Sequence, residues 1–288
     1  MAKLFTEEEI LKFSSENEFM FATVELLKYT IQQLHKIIHS KYIDEIGKPI
    51  NLNRDSAILA GNLIRLAKIN TSFLQNVCEN KLEICYILSR SIYETQINIL
   101  YFLTNGEENV YNNYVKYSLL SEKKLYEIIK KNIEERNGIE LNIEKRMKLS
   151  IEKSFNISEI EIEELNKSSN WKSLKKRLKK IDLTSQINEI YNVFYGLSSH
   201  FIHGNWQDLV ENHLNYINDK NITINYDWNK PKPHLLSGVI IFNLLCVKMF
   251  AKTNATDQLK EELLNKFRKL FKYKFFLSEK YEQFISDN

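Results

Sequence analysis

Arg90, Glu94, Asn98 and Tyr101 follow one another at intervals of three and four residues, the spacing that brings side chains onto one face of a helix. A guanidinium fork matches the oxygens of a phosphate, and a glutamate one turn on can orient that arginine or take a proton. The same pair serves equally well as an i,i+4 ion pair that fixes helix packing, so both readings stay open at this point. A second set of polar residues comes later: Tyr195, Ser199 and His203, with His200 slightly to one side. Two of the six histidines stand here, three residues apart. Imidazole is the side chain best poised for proton transfer near neutral pH. Ser199, one turn before His203, can hydrogen-bond it or a ligand. Gly204 lets the chain break directly after His203, and Trp206 can stack on a base or cover the core. The plainer alternative is a solvated polar face with Trp206 as packing. His-x-x-His has no obvious third ligand for zinc, so no metal is expected. A Gly-x-Ser-x-Gly elbow, a P-loop and a Gly-rich dinucleotide turn are absent, which leaves no cofactor reading.

The elements that must carry these residues are helices. Gly 7 and Pro 3 are the telling counts; average usage of about 7% and 5% would give roughly twenty and fourteen. Few turn-formers mean long uninterrupted elements. Thr6 and the glutamates after it predict an N-terminal helix running to about Lys41, with a loop from Gly47. Asp55 is read as the cap of a helix through Asn70, and Asn80–Leu103 as a second, stopped at Gly106. Lys81–Leu103 is apolar on every side, which predicts a central, buried helix, yet it carries the Arg90 stripe within about 80° of its wheel. Such a stripe needs partners or a cavity. Glu108–Arg136 is periodic and ends at Asn137-Gly138. Residues 139–180 read as shorter helices, including WKSLKKRLKK, whose six basic residues suit a solvated outer face or contact with RNA phosphates. Ser185–Phe201 is a further periodic helix, with Ile187, Ile190, Tyr191, Phe194, Leu197 and Phe201 as its core stripe. One hairpin candidate lies near residues 213–228. Pro231 and Pro233 start a helix over Leu235–Phe250, and Thr256–Ser286 is the last. The fold class is therefore all-α, a multi-helix bundle with a small β-hairpin insertion. It forms a single domain over residues 1–288: an N-terminal helix (1–50), a core (55–203), the insertion (205–230) and closing helices (231–288).

A net charge of +3 is too small to imply nucleic acid by itself. Cys78, Cys85 and Cys246 have no metal-ligand spacing and suit reduced, buried thiols in a cytoplasmic protein. The start lacks a signal-peptide pattern, and Leu235–Phe250 is too short and too interrupted for a bilayer span, so no membrane association is expected.

SRSIYE on one helix and YGLSSHFIHGNW on a later one resemble the HEPN-like helical superfamily, in a branch with Arg-x-x-x-Glu followed by Tyr-x-x-Ser-x-x-x-His-Gly. The similarity spans about Asp55 to His203. It implies a helical bundle that forms a homodimer and acts as a metal-independent endoribonuclease or toxin-like effector in phage defence, with RNA as substrate and an antitoxin or other protein as partner. In that reading His203, Arg90, Glu94, His200 and Ser199 are catalytic, while Tyr195, Asn98, Tyr101 and Trp206 hold substrate. Ser198 stands where the superfamily signature has Arg. That departure supports an alternative, a non-catalytic module that binds a nucleotide-like ligand or a partner protein in the same place.

Overall fold

Side-chain oxygens placed just ahead of apolar runs start the first helices, as a computed structural model of the chain shows. It describes residues 4–163, 165, 171–181, 195, 196, 198, 201–218 and 221–287. Thr6 accepts from the Glu9 amide and caps α1 (Glu7–Ile10). The N-terminal helix does not run unbroken as the sequence predicts. Glu18 accepts from the backbone N–H groups of Ser14 and Ser15, at 2.8 and 3.0 Å, and this second cap restarts the chain as α2 (Glu16–Tyr42). Asn53, rather than Asp55, caps α3 (Arg54–Cys78) by accepting from the Ser56 amide at 2.9 Å. That helix runs two turns past Asn70, because Phe73 and Val77 keep the apolar stripe going into the core. α4 (Leu82–Asn105) ends at Gly106 as expected. α5 (Glu108–Glu135) turns through Asn137 and Gly138, both at positive φ, into α6 (Asn142–Ser158). The basic segment holds α7 (Leu174–Lys180). α8 (Trp206–Asp208) runs into a π-helical turn over Leu209–His213. Then come β1 (Leu214–Asn218) and β2 (Asn221–Ile224), α9 (Pro233–Thr253) with Pro at its first turn, and α10 (Asp257–Asp287).

α4 and α9 pack against each other at the centre, with α3 against α4, and α2 and α10 against α9. Of α9, only a few residues stay partly exposed; Val239, Ile240, Phe242, Leu244 and Phe250 are fully buried. It is the one described helix long and apolar enough to cross a membrane, and 78% of that apolar window is buried inside the protein. Polar side chains inside this core include an Asn70–Gln96–Asn243 cluster. Asn243 donates to Asn70 at 2.9 Å and accepts from Gln96 at 2.8 Å, as buried amides must. α5 and α6 form an antiparallel pair with a second, smaller core around Val115, Tyr126, Ile151 and Phe155. β1 and β2 pair antiparallel, Leu214 facing Ile224 and Tyr216 facing Ile222, on the outside of the bundle. All-α architecture with a small hairpin thus matches the sequence reading. Cys85 and Cys246 are buried, but Cys78 ends α3 and is exposed, a correction to the expectation of three buried thiols.

Candidate functional site

α4 carries the Arg90 stripe on its one face not covered by α3 and α9, and other elements come to meet it. Arg90 Nε lies 3.3 Å from Glu94 Oε1. The Tyr195 hydroxyl donates to the same carboxylate oxygen at 3.3 Å, and the Arg90 guanidinium sits over the Tyr195 ring, 4.5 Å from its centroid. Burial, then the Glu94 charge, raises the Tyr195 phenol above its ordinary pKa, so it stays a donor. One turn further along α4, Asn98 accepts from the guanidinium of Arg177 on α7. Arg177 is buried; its Cζ lies 4.6 Å from the Trp171 ring centroid, and its Nε donates to the Lys172 carbonyl at 3.0 Å. α7 is thus an outer helix with Lys175, Lys176, Lys179 and Lys180 exposed, but its Arg177 faces inward. Leu178 and Ile181 enter the main core, which turns the other face of α7 toward solvent and presses Arg177 onto α4.

Trp171 lies over Tyr101 and Tyr114, with centroids 5.6 and 5.2 Å apart. Tyr101 is 4% exposed beneath it, so Trp171 rather than Tyr101 faces outward. Between α4, α5 and residues 171–177 opens a cleft of about 530 Å³. Glu94 and Asn98 form its floor, Tyr114, Tyr117 and Ser118 one wall, and Trp171, Lys172 and Arg177 the other. The neighbouring Lys180 amine lowers the Lys172 pKa first, with partial desolvation and the like charge of Lys176 adding to it. Cations crowded together favour an anion among them.

The later polar set is placed differently. Ser198 is fully buried and its hydroxyl lies 2.7 Å from that of Ser89 on α4. Phe201 stacks on Tyr86, centroids 4.0 Å apart. Contacts thus pair Tyr195 with Arg90 and Glu94, Ser198 with Ser89, and Phe201 with Tyr86: the two helical stretches run antiparallel. His203 follows Phe201, toward the start of α4 and away from Asn98. It is exposed, as is Trp206 at 62%, and neither lines the cleft. Ser199 and His200 lie outside the described residues. The chain beyond closes on α4 itself: the Asn229 carbonyl accepts from the Leu82 amide at 3.0 Å, and Asn229 donates to Asn212 at 2.9 Å. Among the described residues no group of three His, Cys, Asp or Glu side chains is arranged to hold a metal.

Tyr117 and Ser118 are cleft residues that the sequence reading did not single out, and Trp171, Lys172 and Arg177 belong to the basic segment that it did not join to the Arg90 stripe. A signal was there. Trp171, Leu174 and Leu178 mark the buried stripe of α7, and Arg177 falls beside it rather than opposite. No curated protein and no solved structure matches the chain. A family profile does match, over residues 56–222, a span that holds the whole cleft and the Tyr195–His203 stretch. Since that is more than half of its length, the chain belongs to DUF5677, a family of unknown function.

Proposed function

We propose that the cleft beside the Arg90 stripe binds a phosphate-bearing, nucleotide-like ligand, a segment of single-stranded RNA being its polymeric form. One observation carries this reading: Lys172 and Arg177 line the same cleft as Tyr114 and Tyr117, together with Glu94 and Asn98. Cations take phosphate, aromatic faces take bases, and Asn98 and Glu94 offer a hydrogen-bonding edge. Tyr117, 54% exposed, is the free stacking face. Thermal melting with nucleoside phosphates and short oligoribonucleotides tests it. A melting temperature that rises with ligand concentration is expected. Tyr117→Ala should weaken binding by about 1–3 kcal/mol, the usual worth of one stacked base. Absence of any shift at millimolar ligand and low salt refutes the reading.

A second reading, metal-independent RNA cleavage, draws on the HEPN-like resemblance. His203 would move the proton of the 2′-hydroxyl or the leaving oxygen, and Arg90 would stabilise the charged phosphorane. The observation in its favour is that His203 is an exposed imidazole on the same helical stretch that brings Tyr195 onto Arg90 and Glu94. Against it, the position of the signature Arg is Ser198, which is committed to Ser89 in the interior. The resemblance further suggests a cytoplasmic homodimer with a protein partner, possession of which light scattering and co-purification would establish. Incubation of purified protein with RNA in a chelator decides between cleavage and binding alone.

A further inference from the structure

β2 is bordered by β1 on one side, and among the described residues no strand lies on the other. All four of its residues are exposed. A two-stranded hairpin standing in water is marginal at best, and an open strand edge is a template for another chain. Proteins blunt such edges with charge, proline or a bulge. Here the irregular register falls between Tyr216 and Asn218 on β1, and Asn221–Asn225 holds neither a charged residue nor a proline. The main chain of β2 is also turned the right way. The Asn225 amide donates to the His213 carbonyl at 2.7 Å, and Thr223 faces Asn215. Main-chain groups alternate along a strand, so Asn225 and Thr223 point theirs toward β1, while Ile222 and Ile224 hold an N–H and a C=O each to the open edge. One face of the hairpin is apolar: Leu214 lies opposite Ile224 and Tyr216 opposite Ile222, with Ile224 65% exposed. Apolar side chains gathered in this way mark an interaction surface, unlike single exposed ones.

What fits this edge is written in it. Residues 221–225 read Asn-Ile-Thr-Ile-Asn, the same in both directions. A second copy turned end for end about Thr223 therefore places Ile222 against Ile224, Ile224 against Ile222, and Thr223 against Thr223. The outward groups of Ile222 then meet those of Ile224 as a hydrogen-bonded pair, and the two threonines form the closer, non-hydrogen-bonded pair on the two-fold axis. A two-fold contact requires a surface complementary to itself, and uncharged β-branched residues facing their own kind meet that condition. We propose that β2 pairs with β2 of a second copy of this chain, antiparallel about Thr223, and so builds one four-stranded sheet across a homodimer. Main-chain hydrogen bonds hold the edge, and the isoleucines of the two copies continue one apolar stripe. Neither the cleft nor the helical resemblance enters into this contact.

Sedimentation equilibrium of the full chain over roughly 1–100 μM tests the contact, a range suited to an edge that is small for a specific interface. The parent chain should pass from monomer to dimer within it. Thr223→Lys sets two like charges face to face on the axis and should weaken association roughly ten-fold or more. Thr223→Glu should do the same. An equimolar mixture of the two variants pairs opposite charges at that position and should associate at least as well as the parent, which also shows that both variants fold. A parent chain that stays monomeric at about 100 μM overturns the pairing. So does a dimer that Thr223→Lys leaves intact, since it would use another face, and so does a mixture that fails to recover association.

Discussion

The Arg90–Asn98 face of α4 and the His203 end of the later stretch carry similar residue types, yet the fold treats them in opposite ways. The first is engaged: Glu94 holds Arg90 and Tyr195, and Asn98 holds Arg177. The second leaves His203 and Trp206 exposed. The difference follows from the helices that bear them. On a helix that is otherwise apolar all round, neighbouring elements crowd the polar stripe as well, so Arg90, Glu94 and Asn98 meet partners even where, as at Glu94, part of the side chain still reaches solvent. Polar residues on an amphipathic helix already have solvent, and nothing compels them to converge.

The largest effect that separates the two regions is expected at Arg177. Arg177→Ala removes a buried guanidinium, leaves Asn98 without that donor and uncovers Trp171. A hydrogen bond to a charged group contributes about 1.5–3 kcal/mol, and the lost packing of the arginine stem adds to it. Urea unfolding should therefore show a loss of about 2–3 kcal/mol. A change within about 0.5 kcal/mol, the usual range for surface sites, would mean that α7 only rests on α4.

Much of this division was legible in the chain and some was not. The all-round apolar pattern of Lys81–Leu103 announced a central helix, and the stripe on it announced a partner, because desolvation leaves no other outcome. What spacing within one helix cannot say is which distant element supplies that partner. Arg177 comes from a segment 79 residues beyond Asn98, and six basic residues among ten read as solvated because charge normally seeks water. The break at Ser14-Ser15 went unread for a different reason. Two helices joined by a short turn keep nearly the same periodicity, and only the Glu18 carboxylate, returning to the amides of both serines, marks the restart. Tyr195 was read into one site with Arg90 and Glu94; what a wheel could not give is that its ring lies under the guanidinium while its hydroxyl reaches the carboxylate.

A smaller effect should appear at Glu94. Its carboxylate is about half exposed and pairs with Arg90 at i,i+4, so Glu94→Gln should cost only about 0.3–0.5 kcal/mol. The sharper readout is Tyr195. Its raised phenol pKa keeps the proton on in the folded chain, so the associated stability is complete below the unfolded tyrosine value near 10 and is lost as pH rises through the folded value. Removing the Glu94 charge takes away the second cause of that rise. NMR of ring-labelled tyrosine should show Tyr195 titrating at lower pH in Glu94→Gln than in the parent chain. An unchanged titration would separate Tyr195 from the stripe and weaken the cleft as one electrostatic unit.

The smallest effect on folding is expected at His203, and there the comparison is decided. An exposed imidazole outside the cleft lining gives His203→Ala a stability change within about 0.5 kcal/mol and leaves nucleotide binding intact. If the parent chain cleaves RNA, two outcomes are distinct. Cleavage lost in His203→Ala, with binding retained, makes the imidazole the proton carrier and requires substrate to bridge from the cleft, past Tyr195, to the end of that helix. Cleavage retained in His203→Ala, and lost in Arg177→Ala at temperatures where that variant is folded, places the chemistry wholly within the cleft and leaves the His203 end as solvated surface.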